Sequence, residues 1–271
     1  MEQPRSGPLD VRKRLTVREL RNARPERSEG YGQEEKMDLK GKSIVVFGDS
    51  ILKGVVTNPE SDHIFDITEN NSLALAQKEL GFELDNRSIY GNIITKGQQK
   101  FNKWLEKGGT ADICIIEFGG NDCDYDWAPI NENPDAPHEP KVPLADYLRI
   151  LDEMVKTCRQ HKITPLLMTM PSLVADRWLE TVSKGLDREK NLQFLGGDWS
   201  RLYRNHEIYN AHLVKYAYQN NVQFVDMRLA LLETKDYRDY MCLDGIHPNE
   251  AGYKLMADLW VKELPQVRLE K

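Results

Sequence analysis

The sequence predicts a three-layer α/β/α domain built on a mostly parallel sheet of about five strands, and two observations carry that expectation. Short apolar runs such as Ile44-Val45-Val46-Phe47 and Ile113-Cys114-Ile115-Ile116 have no polar alternate face, as in strands covered by helices on both sides. Between successive runs lie segments with apolar residues at helical spacing, the pattern of parallel strands joined by helical crossovers. At 271 residues with 40% hydrophobic content, the chain is long enough to bury one substantial core.

The elements follow in order. Ser43 to Lys53 holds the first strand, which stops abruptly at Gly48-Asp49-Ser50. Asn70 to Leu80 carries Leu73, Leu75, Ala76 and Leu80 on a helix that Gly81 ends. Phe82 to Ile89 is a second strand closing at Tyr90-Gly91-Asn92, and Lys96 to Lys107 a helix with Phe101, Trp104 and Leu105 on one face. Asp112 to Phe118 is the clearest strand, apolar after Asp112 except for Glu117, and ends at Gly119-Gly120-Asn121-Asp122. A helix over Leu144 to His161 leads to a strand over Ile163 to Met170. A helix over Ile208 to Asn220 leads to a strand over Val222 to Met227, and Glu250 to Leu264 forms a last amphipathic helix. The sheet is expected to be flavodoxin-like, with ligands bound outside the carboxyl ends of its strands.

Residues 1–36 differ from the rest. They are rich in Arg and Glu, include Pro4, Pro8 and Pro25, and hold too little apolar surface to offset the entropy of ordering, so a mobile tail is expected, with the folded domain over 37–271. A chain beginning at Met37 is then expected to keep full activity and melting temperature.

A net charge of −6 argues against a nucleic-acid partner and favours a small-molecule one. No window reaches the roughly 18 uninterrupted apolar residues of a membrane span, and the N-terminus lacks a secretory apolar core, so no membrane association and a cytoplasmic location are expected. Cys114, Cys123, Cys158 and Cys242 form no CxxC pair, which disfavours zinc and disulfides and suggests reduced, packed thiols. Nothing in the chain indicates an oligomeric state.

Three polar marks, Ser50, Gly91 and Asn121, each follow a predicted strand, which places all of them on one rim of the sheet. Near the C-terminus stands Cys242-Leu243-Asp244-Gly245-Ile246-His247-Pro248-Asn249. An Asp and a His three residues apart in a tight turn can touch, so Asp244 can accept from His247 Nδ1 and leave Nε2 free to take a proton.

Together, Gly48-Asp49-Ser50-Ile51, Gly91, Gly119-Gly120-Asn121-Asp122 and Asp244-Gly245-Ile246-His247-Pro248 resemble the ordered blocks of SGNH hydrolases, the GDSL-type esterases and lipases. The resemblance spans roughly Lys42 to Leu264. Ile51 replaces the usual Leu, and Gly91 follows Tyr90 where Ser-Gly is commoner. The resemblance implies that Ser50 is the nucleophile, His247 the general base and Asp244 its orienting carboxylate. It also implies an oxyanion hole made by the backbone N–H groups of Ser50 and Gly91 and the side-chain amide of Asn121.

Competing motifs fail on the sequence. Asp122-Cys123-Asp124-Tyr125-Asp126 imitates the start of a calcium loop, but Trp127 and Asn133 occupy the positions that need Gly and Glu. No phosphate-cradling glycine motif and no Gly-x-Ser-x-Gly elbow occurs, and His63, His138, His161, His206 and His212 lack metal-ligand spacing, so neither cofactor nor metal is expected. Asp49, Asp124 and Trp127 are candidate substrate-binding residues, the last two in a long loop, Cys123 to Val142, expected to wall the site. The insertion Ser172 to Asn205, with Trp178, Phe194 and Trp199, either covers the site or packs as ordinary helices. The expected activity is hydrolysis of small or carbohydrate-linked acyl esters, acetyl being the simplest acyl group. Acyl transfer to a sugar hydroxyl and an idle carbohydrate-binding protein are the alternatives.

Overall fold

The computed structural model describes residues 36–57 and 65–270. The expectation of a mobile tail therefore lies, apart from Lys36, outside the described residues. In chain order the elements are β1 (Ser43–Phe47), α1 (Ser50–Lys53), β2 (Val55–Thr57), β3 (Phe65–Ile67), α2 (Ser72–Leu80), β4 (Glu83–Asn86), α3 (Ile94–Glu106), β5 (Ile113–Ile116), α4 (Trp127–Glu132), α5 (Leu144–Gln160), β6 (Thr164–Met168), α6 (Ala175–Val182), α7 (Arg188–Phe194), α8 (Ser200–Gln219), β7 (Gln223–Val225), α9 (Met227–Leu232) and α10 (Glu250–Glu263).

The central sheet has five parallel strands in the order β4-β1-β5-β6-β7, the flavodoxin-like winding. Its three-layer build follows from strand alternation. Val45 and Phe47 of β1, with Cys114 and Ile116 of β5, face α3, α5 and α8 through Phe101, Trp104, Tyr147, Ile150, Tyr209 and Leu213. Ile44, Val46, Ile113 and Ile115 face α2 and α10 through Leu73, Ala76, Tyr253, Met256 and Trp260. Each fully buried side chain of this size contributes about 1.5–3 kcal/mol, so the apolar runs on both faces favour this burial.

Four features differ from the sequence reading. Strands β4 to β7 are shorter than the segments expected for them, each giving up its last residues to the loop that follows. Helix α8 begins at Ser200 rather than Ile208, its polar first turns being carried by packing of Leu202 and by the aromatic ring of Tyr203. The antiparallel hairpin β2–β3 was not legible, being only three residues on each side. Finally, α4, α6, α7 and the start of α8 form a third apolar cluster from Trp127, Ile130, Leu173, Leu179, Leu195 and Leu202, so the long loop and the insertion share a small core of their own.

All four cysteines are buried and free. No helix among the described residues is long and apolar enough to cross a membrane.

Candidate active site

β1 ends at Phe47, and the chain turns through Gly48-Asp49 into the single turn of α1. Asp49 caps that turn by accepting the Ile51 N–H at 2.9 Å, which fixes Ser50 at the strand end. Residue 247, distant in sequence, meets it there: Ser50 Oγ lies 2.8 Å from His247 Nε2. His247 Nδ1 lies 2.6 Å from Asp244 Oδ2, and Asp244 Oδ1 accepts the backbone N–H groups of Ile246 and His247 at 3.0 and 3.1 Å. The three side chains form one hydrogen-bonded line in which the hydroxyl can pass its proton to a ring nitrogen held in the right tautomer.

The loop carrying His247 is a closed turn. Cys242 N–H donates to His247 O at 2.8 Å, and Met241 bridges Pro248. Gly245 sits at φ +83°, and a Cβ there would stand 2.5 Å from Val174 O, so the turn can approach the insertion only as glycine. From that side Arg177 Nη1 donates to the carbonyls of Arg238, Met241 and Cys242, and Thr181 Oγ1 to that of Asp244. Neither Arg177 nor Thr181 carried a motif that would have marked it.

Burial pulls the Asp244 carboxyl up, but the bonds from His247 Nδ1 and from the two backbone N–H groups outweigh it and hold the group below its ordinary value. Asp244 is therefore kept as a carboxylate. The rings of Phe65 and Tyr90 flank the imidazole, with centroids 5.5 and 6.2 Å away. Phe65 lies on β3, in the hairpin that the sequence concealed.

On the other side of Ser50 stand the donors. Asn121 Nδ2 gives one proton to Asp49 Oδ2 at 2.9 Å, leaving its second for a ligand. The backbone N–H groups of Ser50 and Gly91 have no acceptor among the described residues, and Gly91 holds φ +64° at the exposed end of the loop after β4. Asp122 ties this rim together by accepting the N–H groups of Ile94 at 2.8 Å and Gly119 at 2.9 Å. Burial nevertheless pushes its carboxyl up to about 7. Beneath Asp49 lies Glu117, 1% exposed, whose Oε2 accepts the Asp49 backbone N–H at 3.0 Å. Burial first and the neighbouring Asp49 charge second push Glu117 well above the usual carboxylate range, so it is the protonated partner of the pair.

Ser50, His247, Gly91 and Asn121 open into a cleft of about 670 Å³, walled by Phe65, Tyr90, Trp178, Val182 and Ile246, with Lys96 and Lys141 among its polar residues. Of the three candidate substrate-binding residues, only Asp124 lines it. Its carboxylate is engaged by Trp127 Nε1 at 3.0 Å, Trp178 Nε1 at 3.4 Å and Lys141 Nζ at 2.9 Å. Trp127 is corrected: it is buried in the third apolar cluster against Tyr125 and Phe194, because the loop that holds it coils into α4 and packs on the insertion. Asp49 is corrected too, since its carboxylate is spent on Ile51 and Asn121 rather than facing the cleft. Trp178 takes the place foreseen for Trp127. Among the described residues, no group of three or more His, Cys, Asp or Glu side chains is placed to hold a metal ion.

The model of the GDSL-like lipase/acylhydrolase family matches residues 46–255. The chain belongs to this family. Among solved structures, this GDSL-like chain is similar in fold to a lipase/acylhydrolase from Enterococcus faecalis, at 19% identity and a TM-score of 0.55 over 85% of this chain and 99% of the other. It is similar to an acetylxylan esterase from Geobacillus stearothermophilus, at 23% identity and a TM-score of 0.58 over 84% and 96% of the two chains. A member of the lipolytic G-D-S-L family from Veillonella parvula matches at 14% identity and a TM-score of 0.55 over 83% and 98%. No curated protein matches the GDSL-like chain.

Proposed function

We propose that this GDSL-family protein is a serine esterase that removes short acyl groups, acetyl above all, from small or carbohydrate alcohols. The observation that carries the reading is the unbroken line from Asp244 through His247 to Ser50, ending in an open cleft beside three free N–H donors. Ser50 Oγ attacks the ester carbonyl while its proton moves to His247 Nε2. The carbonyl oxygen, now negative, is met by the N–H groups of Ser50, Gly91 and Asn121. His247 returns the proton to the departing alkoxide, leaving an acyl-serine. Water then attacks that ester, gives its proton to the same nitrogen and releases the carboxylic acid, and the proton goes back to Ser50. The Asp244 carboxylate supports the imidazolium in both halves and stays ionised.

Carbohydrate alcohols are supported by the aromatic faces of Tyr90, Phe65 and Trp178 around the cleft, which suit the apolar face of a sugar ring, and by the fold shared with an acetylxylan esterase. Hydrolysis of p-nitrophenyl acetate and of acetylated xylo-oligosaccharides tests the reading. The expected result is turnover of both, lost by at least about ten-thousandfold in Ser50→Ala. Unchanged turnover in that variant removes the nucleophile, and turnover of the aryl ester alone removes the carbohydrate.

A further inference from the structure

Beside the segment that leads into Gly91 lies a second hollow of about 570 Å³, none of whose lining residues lines the catalytic cleft. Its cations come from three elements. Lys100, Lys103 and Lys107 project from the carboxyl-terminal half of α3 and the residue just past it, Lys53 closes α1, and Arg87 follows β4, with Trp104 between them. None of the four lysines has an ion-pair partner among the described residues. Arg87 is met by Asp85 at 2.7 Å and lies over the Trp104 ring, but no carboxylate lines the hollow itself.

In a chain of net charge −6, this concentration of positive charge is not explained by composition. Lys100, Lys103 and Lys107 stand three and four residues apart, so they share one helix face and repel each other. The helix dipole favours Lys103 and Lys107 at the end of α3, but it has no bearing on Lys53 or Arg87, which face them from other elements. Cations gathered from three elements around one concavity call for a ligand that presents negative charge to several of them, more than a single phosphate does.

We infer that this hollow binds a small soluble molecule carrying two or more linked phosphate groups, at a site separate from the catalytic cleft. The bound anion would touch two segments that serve the cleft: α1, which begins at Ser50, and the stretch from Asn86 to Ile89, which runs on into Tyr90 and Gly91.

Calorimetric titration of the full chain with inorganic tripolyphosphate tests this. The expected result is saturable binding of one molecule per chain that weakens as salt is added. Lys100→Gln, Lys103→Gln and Lys107→Gln combined should cost about tenfold or more in affinity, while Lys141→Gln at the catalytic cleft leaves it unchanged. If the combined variant melts lower, Lys103→Glu alone carries the same expectation. Heat without saturation, equal affinity in the lysine variants, loss on Lys141→Gln instead, or preference for phosphatidylserine vesicles over tripolyphosphate would each overturn the inference.

Discussion

Two carboxyl systems flank Ser50 and are treated in opposite ways by the fold. On the imidazole side, Asp244 is buried yet kept ionised, because Nδ1–H and two backbone N–H groups converge on it. On the amide side, Glu117 is buried with one backbone donor, the Asp49 N–H, and is kept as the acid. The same chemistry thus yields a fixed negative charge where a proton must be drawn and a neutral group where a donor must be held still. Burial raises both; at Asp244 the His247 ring and the two backbone N–H groups outweigh it, whereas at Glu117 the neighbouring Asp49 charge adds to it.

The comparison can be broken at either end. Asp244→Asn should give the largest effect, a fall of about ten-thousandfold in kcat: with its oxygen held by the Ile246 and His247 N–H groups, the amide turns its NH2 toward Nδ1 and donates to it, which leaves the ring proton on Nε2, the wrong tautomer. Initial rates across a pH series check it, and a loss below tenfold would show that the carboxylate is not needed as a charge. Next, Asn121→Ala should lower kcat about a hundred- to a thousandfold with little change in KM, because its free N–H is engaged only as the oxyanion forms. Asp49→Asn should cost less, about tenfold, through misplacement of Asn121: the new amide keeps one oxygen for the Ile51 N–H but turns its NH2 toward Asn121 Nδ2, donor against donor.

The smallest effect is the most pointed. Glu117→Gln replaces a protonated acid by a neutral amide of the same shape, so kcat should stay within about threefold. Its melting temperature should rise relative to the parent as pH increases. The carboxyl is raised in the folded chain, so the unfolded chain ionises first, and the parent loses stability from the ordinary Glu value upward whereas the variant does not. A constant difference across pH would show that Glu117 is ionised in the folded chain.

The sequence carried most of the fold because its strands are apolar on both faces, a pattern with few architectures to satisfy it. The placement of Ser50, Gly91 and Asn121 on one rim was legible for the same reason, each following a strand, and the Asp244–His247 contact was legible from their spacing in a tight turn. Substrate contacts were not legible. Trp127 stands in a polar, proline-rich stretch that reads as a wall of the site, but it faces a small core that exists only once α4 meets α7. Phe65 is one of three residues in a strand too short to show alternation, and Arg177 acts on carbonyl oxygens, which leave no trace in side-chain spacing. Glu117 stood out as the one acid in an apolar run, and its purpose became visible only when β5 was laid beside β1.

Tyr253 on α10 donates its hydroxyl to Val55 O at 2.8 Å, and Trp260 beside it is fully enclosed. The segment that follows Ser50 is thereby fastened to α10. During synthesis, then, Ser50 emerges from the ribosome long before His247, and on the proposed mechanism the hydroxyl stays chemically silent until the turn that carries the imidazole has docked.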